Sequence, residues 1–390
     1  MFFNHQEIRL DLLQKWSYNL RWATLPEGVI PLTAADPDFR VAPVVRDALA
    51  RYAADGQFSY GPAEGLQSFR HALARKYAVS YHTPVDPELI LPVDSAAFGI
   101  HLICKSFLRA GDEAIIFDPV DFLFRYSIEA VGATAVPFPT PVSSDPLDVA
   151  RLQQLITGRT RLICLCNPLN PTGKVFSPAE LHQIGEIAER NGLIILSDEI
   201  WSDIVFHPHR HTPISALGGG ISRRTVTVTG FSKSYGLASL RIGAVICGDK
   251  DLHETIFSHS LHLSTIHGAN IAGQVAATAA MEQADDWLEA FLAHLQAMKD
   301  IVLSELNSIP GIRCHDPQGC YVAFPDITGT GRSSEELHQL FLEKAKVAVV
   351  PGLEKWFGAG ASGHIRLTFA TSETILREAL GRMKKALLKS

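Results

Sequence analysis

Short apolar runs alternate with amphipathic stretches through the middle of the chain, from about residue 88 to residue 250. The runs cover residues 114–117, 162–166, 193–197, 225–229 and 242–247. Strands that are apolar on both faces are typical of a sheet that helices cover on both sides. The pattern therefore predicts an α/β fold in which a mostly parallel sheet is covered by helices.

The helix expected before the third run has its own start and stop signals. Ser177 can cap the first turn, Pro178 suits the first helical position, and Glu180 completes a capping box. Apolar residues then recur at helical spacing as far as Asn191, and Gly192 ends the helix. The following strand ends in polar residues, which is where open α/β sheets bind ligands.

The last hundred residues follow a different pattern. A long helical stretch at 285–307 is followed by shorter strands and helices. We expect residues 46–285 to form a large α/β domain. Residues 1–45 and 286–390 are expected to form a smaller α+β domain, in which the C-terminal part is joined by the N-terminal segment.

Composition narrows the class of protein. Of the 390 residues, 46% are hydrophobic and 19% are charged, a balance typical of globular proteins. Six cysteines are too few for a disulfide scaffold, and a net charge of −6 offers no positive field to nucleic acid. Apolar runs are far shorter than the ~18 residues of a spanning helix, and charges interrupt the start of the chain where a signal peptide is apolar. We expect a cytoplasmic protein with no membrane or nucleic-acid partner.

Two polar side chains follow predicted strands of the sheet. Asn170 lies in the turn Asn-Pro-Leu-Asn-Pro-Thr-Gly at 167–173, where it either completes a tight turn or points its amide at a ligand. Asp198 ends an apolar strand, which is costly for a carboxylate without a partner. It is either a helix cap or the counter-ion of a cationic ring nitrogen.

Three cations are further candidates for the site. Lys233 follows the run 225–229 in a loop of small residues, where it is either a solvated charge or an amine nucleophile. Arg241 comes eight residues later and has the planar fork that suits phosphate. Arg366 interrupts an alternating strand near the end of the chain. It is either a surface charge on an edge strand or a bidentate carboxylate ligand.

In this order the motifs resemble those of the fold-type-I pyridoxal 5′-phosphate enzymes of the class I/II aminotransferase superfamily. The resemblance extends from about Pro31 to Arg382. It implies that Lys233 is catalytic and binds the cofactor covalently, and that Asp198 keeps the pyridine nitrogen protonated. It also implies that Asn170 contacts the ring hydroxyl and that Arg241 binds the phosphate. The histidines at 207–211 are interpreted as part of a surface loop and not as a metal site, because zinc needs convergent ligands, so no metal is expected.

The resemblance assigns further residues by position. Ser95 and Ala96 would offer backbone N–H groups to the phosphate at a helix start, and Ser232 and Trp201 would complete the cofactor site. Arg366 would bind the substrate α-carboxylate, with Asn170 and Ala35 beside it. Tyr60 would reach the phosphate of a neighbouring subunit, which implies a homodimer with shared active sites.

Four positions depart from the family pattern, one of which is Ser239, where the family usually has a glycine two residues before the arginine. Trp201 stands where the family usually has a tyrosine three residues after the aspartate, and Gly230 stands where it has a phosphate-binding serine. Asp121 stands where the family has the aromatic residue that stacks on the cofactor ring, a role that Phe122 is the candidate to take over. We expect these changes to bear on the substrate and reaction type more than on cofactor binding.

The leading hypothesis is an aminotransferase that moves an amino group between an L-amino acid and a 2-oxo acid. A carbon–sulfur β-lyase of the cystathionine β-lyase type is the alternative, because the segment 34–39 is similar to that branch. Specialised pyridoxal phosphate chemistry, such as cyclisation in secondary metabolism, is a third hypothesis. A transcriptional regulator that uses this fold as a sensor is not expected. Such a regulator needs an N-terminal DNA-binding module, and the roughly thirty residues before the start of the resemblance are too few to form one.

Overall fold

Seven strands form a central sheet in the structure, a computed structural model that describes residues 2–143 and 145–389. In chain order the strands are β1 (Ile30–Pro31), β2 (Ile90–Val93), β3 (Glu113–Asp118), β4 (Thr134–Pro139), β5 (Thr160–Cys166), β6 (Ile194–Asp198), β7 (Thr225–Gly230), β8 (Gly243–Cys247), β9 (Val322–Ala323), β10 (Val347–Ala348), β11 (Val350–Pro351) and β12 (Ile365–Thr368). The order across the large sheet is β2-β8-β7-β6-β5-β3-β4. Only β8 runs antiparallel to its neighbours, so the prediction of a mostly parallel sheet is confirmed.

Helices cover the large sheet and surround the shorter strands. They are α1 (Leu10–Trp16), α2 (Pro43–Asp55), α3 (Gln67–Ser80), α4 (Ala96–Phe107), α5 (Leu123–Glu129), α6 (Val149–Gln154), α7 (Pro178–Arg190), α8 (Gly219–Arg223), α9 (Lys250–Ser260), α10 (Ile271–Gln283), α11 (Asp285–Asn307), α12 (Ser334–Leu340), α13 (Glu354–Phe357) and α14 (Glu373–Leu388). Nearly every residue of β3, β5, β6, β7 and β8 is buried, as strands between two helical layers require. Within the described residues, no helix is both long enough and apolar enough to cross a membrane.

The local signals in the sequence predict the elements well. The capping box of α7 is present, because Ser177 Oγ accepts a hydrogen bond from the Glu180 N–H at 3.2 Å and a Glu180 oxygen accepts one from the Ser177 N–H at 2.8 Å. The long helix at 285–307 is also present as α11. The run 242–247 forms a strand, but it is antiparallel, a direction that an apolar run does not encode.

Two smaller groups of strands join the two ends of the chain. β1 pairs in parallel with β10, with Ile30 opposite Val347. β11, β12 and β9 form a separate antiparallel sheet in that order, and α11 packs against α14. The N-terminal segment is thereby joined to the C-terminal third, and Arg366 lies on the central strand of the small sheet.

One edge of the large sheet collects the loops that carry polar residues. The carboxyl ends of β3, β5, β6 and β7 meet there, since these strands are mutually parallel. The antiparallel β8 begins at the same edge. The topology therefore brings loops from four separate parts of the sequence to the position where a ligand can bind.

Candidate active site

Lys233 follows β7, and it lines a cavity of about 390 Å³. Its Nζ donates a hydrogen bond to the Ala35 carbonyl at 2.7 Å and lies 5.3 Å from the centre of the Trp201 ring. Burial lowers the pKa of Lys233, whereas the Asp36 carboxylate opposes this shift and the Arg366 guanidinium adds to it. The amine is therefore easier to deprotonate, as a nucleophile or base requires.

A buried ion pair positions the N-terminal segment against this lysine. Arg21 pairs with Asp38 and also donates a hydrogen bond to the Ala34 carbonyl at 3.2 Å. Trp22 Nε1 donates to the same Asp38 carboxylate at 2.7 Å. These contacts fix the backbone next to Ala35, whose carbonyl faces the lysine.

Asp198 is the last residue of β6 and lines the same cavity. Burial raises the pKa of Asp198 to about 7. The hydrogen bond from the Ile200 N–H, 3.1 Å long, opposes this rise, whereas the Asp121 and Glu199 carboxylates add to it. A cation placed beside Asp198 would reverse the shift, so the position suits a cationic ring nitrogen.

Asn170 links a cation to an anion across the cavity. Its Oδ1 accepts a hydrogen bond from Arg366 Nη1 at 3.1 Å, and its Nδ2 donates to Asp121 Oδ2 at 2.9 Å. Arg366 is buried and donates to the Thr33 carbonyl at 3.3 Å, and its Nε has no partner in the described part of the chain. An arginine with an unused donor beside a cavity suits a carboxylate ligand.

An anion-binding corner forms where α4 begins. Ser95 caps this helix by accepting a hydrogen bond from the Phe98 N–H at 3.1 Å, and Arg241 Nη2 donates to Ser95 Oγ at 2.9 Å. The first N–H groups of the helix, starting at Ala96, have no partner within the helix and carry partial positive charge. Ser232 lines the same cavity. The corner has the donors that a phosphate group needs.

The structure brings most of the predicted site residues to this one cavity. Those that line it are Ala35, Ser95, Ala96, Phe122, Asn170, Asp198, Trp201, Ser232, Lys233, Arg241 and Arg366. Tyr60 lies elsewhere, beside His267 in a surface cavity of about 510 Å³, and it is 84% exposed. Its predicted role at the site of a neighbouring subunit stays a prediction.

Trp201, Asp121 and the stacking candidate Phe122 have different surroundings, and Gly230 is buried at the end of β7. Trp201 is buried against the ring of Tyr321, with the ring centres 4.7 Å apart. Phe122 packs edge-on against Trp356 at 5.5 Å and remains partly exposed. Asp121 faces the cavity directly.

Other lining residues carried no sequence signal that we recognised. Among them are Asn19, Leu20, Val350, Trp356 and Phe357. They come from the N-terminal segment and the C-terminal third, and only the folded chain brings them to the loops of the large sheet. Asp121 had a signal, since it replaces an aromatic residue of the family pattern.

The lining fits pyridoxal 5′-phosphate, the cofactor that the resemblance implies. It provides an amine with a lowered pKa, a buried carboxylate, an anion-binding corner and an arginine with an unused donor. Residues 2–143 and 145–389 contain no group of three or more His, Cys, Asp or Glu side chains that could hold a metal ion.

Comparison with known proteins agrees with this fit. The family model described as aminotransferase class I and II matches residues 27–383. An aspartate aminotransferase of Pyrococcus horikoshii is 31% identical over 370 residues, which cover 94% of this chain and 92% of that protein.

Solved structures extend the comparison to the fold. A pyridoxal phosphate-bound putative aminotransferase of Clostridium difficile 630 is 26% identical, with a TM-score of 0.87 over 97% of this chain and 95% of its own. Cystalysin of Treponema denticola has a TM-score of 0.91 over 100% of both chains. Because its identity is 21%, it shows a shared fold alone.

Proposed function

The chain belongs to the class I and II aminotransferase family and is a pyridoxal 5′-phosphate-dependent aminotransferase, and from this premise we propose how its residues carry the reaction. When bound, the cofactor supplies a carbonyl carbon for the incoming amine and a ring that withdraws the electron pair left at Cα. The chain's own residues hold the reactants in place and move the proton.

Lys233 would hold the cofactor covalently through Nζ and, as a free amine, would accept the proton from the substrate Cα at that atom. The observation that carries this proposal is that Lys233, Asp198 and Arg366 meet in one cavity, although they come from three separate parts of the chain. Burial lowers the pKa of Lys233, so less free energy is needed to form the neutral amine that acts as the base.

Asp198 and Arg366 orient the two reactants. Asp198 pairs with the pyridine nitrogen of the cofactor, and Asn170 contacts the ring oxygen. Arg366 holds the substrate α-carboxylate through its guanidinium group, beside the Ala35 backbone. Fixing both partners places the Cα–H bond within reach of Lys233, which is a positional contribution to the rate.

Ser95, Ala96, Ser232 and Arg241 hold the cofactor phosphate. Their support is the hydrogen bond from Arg241 to Ser95 and the first N–H groups of α4, which have no partner within the helix. Trp201 is proposed to line the cofactor ring. Phe122 remains the candidate for the stacking role that Asp121 cannot fill.

The function is tested by mixing the purified, cofactor-loaded protein with L-amino acids and following the absorbance of the bound cofactor. We expect stoichiometric conversion to pyridoxamine phosphate, and its reversal by a 2-oxo acid. Catalytic release of pyruvate and ammonia from L-cystathionine, with no requirement for an oxo acid, would instead indicate a β-lyase.

The covalent role of Lys233 is tested by borohydride reduction and mass spectrometry. Wild-type protein should retain the mass of the cofactor, and Lys233→Ala should retain none. Lys250→Ala is the control, because this lysine is 79% exposed on α9 and does not line the cavity. Cofactor retained by Lys233→Ala would refute the assignment.

A cytoplasmic homodimer with shared active sites is proposed as the assembly. Tyr60, Phe58 and Leu263 are at least 68% exposed, and exposed apolar side chains of this size are typical of protein interfaces. Light scattering should give twice the 42.6 kDa of one chain. Tyr60→Phe should weaken cofactor binding without changing that mass, and an unchanged cofactor affinity would contradict the shared site.

The division of the chain into residues 46–285 and a smaller part formed by 1–45 and 286–390 stays a prediction. Its support is that every strand of the large sheet lies between residues 90 and 247, whereas the short strands lie outside that range. Limited proteolysis of the native protein, with fragments mapped by mass, would test it.

A further inference from the structure

Asp121 lines the cavity, and the proposed function assigns its carboxylate no partner on the cofactor or on the α-amino and α-carboxylate groups of the substrate. The charged residues that line the cavity in the described structure are Asp121, Asp198, Lys233, Arg241 and Arg366. The proposed function gives a role to each of them except Asp121. A carboxylate in such a site is costly unless a cation or hydrogen-bond donors stabilise it.

The backbone and Asn170 hold the Asp121 carboxylate in a defined position. Oδ1 accepts a hydrogen bond from the Leu123 N–H at 3.2 Å, and Oδ2 accepts one from Asn170 Nδ2 at 2.9 Å. The same Asn170 accepts a hydrogen bond from Arg366 at 3.1 Å. The Asn170 side chain therefore links the Asp121 carboxylate to Arg366, the arginine that is proposed to bind the substrate α-carboxylate.

Substrate binding changes the charge around Asp121. Asp121 and Arg366 act on each other electrostatically, since the carboxylate opposes the lowering of the Arg366 pKa by burial. A substrate α-carboxylate on Arg366 neutralises that cation and adds negative charge close to Asp121. A second carboxylate on the substrate would increase the repulsion, whereas a side-chain ammonium or guanidinium would relieve it.

The rest of the lining supports the same substrate class. Besides Lys233, Arg241 and Arg366, no cation of this chain lines the described part of the cavity, so within one subunit none is left to receive a distal carboxylate. Leu20, Trp356 and Phe357 contribute an apolar wall. Such a wall suits the methylene stem of a long cationic side chain, whose charged end then reaches a carboxylate.

We propose that Asp121 is a specificity-determining residue that makes this aminotransferase prefer amino acids with a cationic side chain over neutral or dicarboxylic ones. The proposal rests on the proposed function, in which Arg366 binds the α-carboxylate. Asp121 forms an ion pair with the side-chain cation of the substrate.

The experiment compares kcat/KM for matched substrate pairs with wild-type protein and Asp121→Asn. L-lysine and L-norleucine differ in a terminal ammonium group, and L-glutamate and L-glutamine differ in a carboxylate. Wild-type protein should prefer lysine to norleucine by at least about tenfold, and glutamine to glutamate. Asp121→Asn should reduce the lysine preference by about tenfold and raise kcat/KM for glutamate.

Two further variants make the result specific. Asp121→Glu keeps the charge and should keep the preference for lysine. Asp300→Asn removes an exposed carboxylate of α11 outside the cavity and should match the wild type. Equilibrium binding of lysine and norleucine, followed by cofactor absorbance, should show the same ratios as kcat/KM.

The possible failures are distinguishable. Transamination with the same substrate preferences in wild type and Asp121→Asn would overturn this inference and leave the proposed function intact. A change in cofactor affinity or spectrum with unchanged preferences would also overturn it, because the carboxylate would then act on the cofactor. Absence of transamination with every amino acid would overturn the proposed function and this inference together.

Discussion

Replacing Asp198 by asparagine should have opposite effects on the stability of the cofactor-free protein and on cofactor binding. Burial raises the pKa of Asp198 from 3.8 to about 7. Below pH 3.8 the carboxyl is neutral in both the folded and the unfolded chain. Between pH 3.8 and about 7 the unfolded chain releases this proton while the folded chain keeps it, so the folded state loses stability as pH rises.

The magnitude follows from that interval. At ~1.4 kcal/mol per pH unit, the interval from 3.8 to about 7 corresponds to about 4 kcal/mol above pH 7. Asparagine has no proton to lose, and its Oδ1 can still accept the hydrogen bond from the Ile200 N–H. Asp198→Asn should therefore stabilise the cofactor-free protein, and the gain should grow by about 2 kcal/mol between pH 5.5 and pH 8.

The assay is urea denaturation of cofactor-free wild type and Asp198→Asn at pH 5.5 and pH 8, followed by circular dichroism. Asp300→Asn is the matched control and should not change the midpoint at either pH. The same Asp198→Asn preparation should bind pyridoxal 5′-phosphate more weakly, because the ring nitrogen loses its counter-ion. A variant that is no more stable than wild type at pH 8, or whose gain is the same at both pH values, would refute the reasoning.

Three further changes test other parts of the structure. Arg366→Lys keeps the charge but loses the planar fork, so the KM for the amino acid should rise about tenfold or more while the cofactor spectrum is unchanged; an unchanged KM would contradict the carboxylate-binding role. Gly173→Ala adds a methyl group 2.5 Å from Pro317 Cβ at a residue with φ +76°, and should destabilise the protein by at least about 1 kcal/mol in urea denaturation; a wild-type midpoint would show that the turn can relax. Ser177→Ala removes the capping box with Glu180 and should cost about 1 kcal/mol without changing kcat/KM; a loss of activity would be inconsistent with a purely local role.

Local chemistry explains why much of the fold could be predicted. The strands β3, β5, β6 and β7 follow from short apolar runs, and α7 follows from Ser177, Pro178 and Glu180. Each of these signals acts within a few residues of the chain, so it can be read without knowing the neighbours in space. The same holds for Asn170 and Lys233, whose positions just after strands are local facts.

Other features depend on which distant segments meet. Whether β8 runs parallel or antiparallel is decided by its neighbours β2 and β7, because an apolar run has no direction. Asn19 and Trp356 carry no motif, and they reach the cavity only because the two ends of the chain pack beside the large sheet. Tyr60 could be named from the sequence, but its role depends on a second subunit.

The sequence by itself therefore determined the fold class, the family pattern and the identity of Lys233, Asp198, Asn170 and Arg366 as candidate site residues. Only the tertiary structure decided that Asp121, Asn170 and Arg366 form one hydrogen-bonded series across the cavity. It also decided the direction in which each pKa shifts. The physical reason is that burial and long-range electrostatics depend on everything that surrounds a charge, whereas caps, turns and apolar runs depend on adjacent residues.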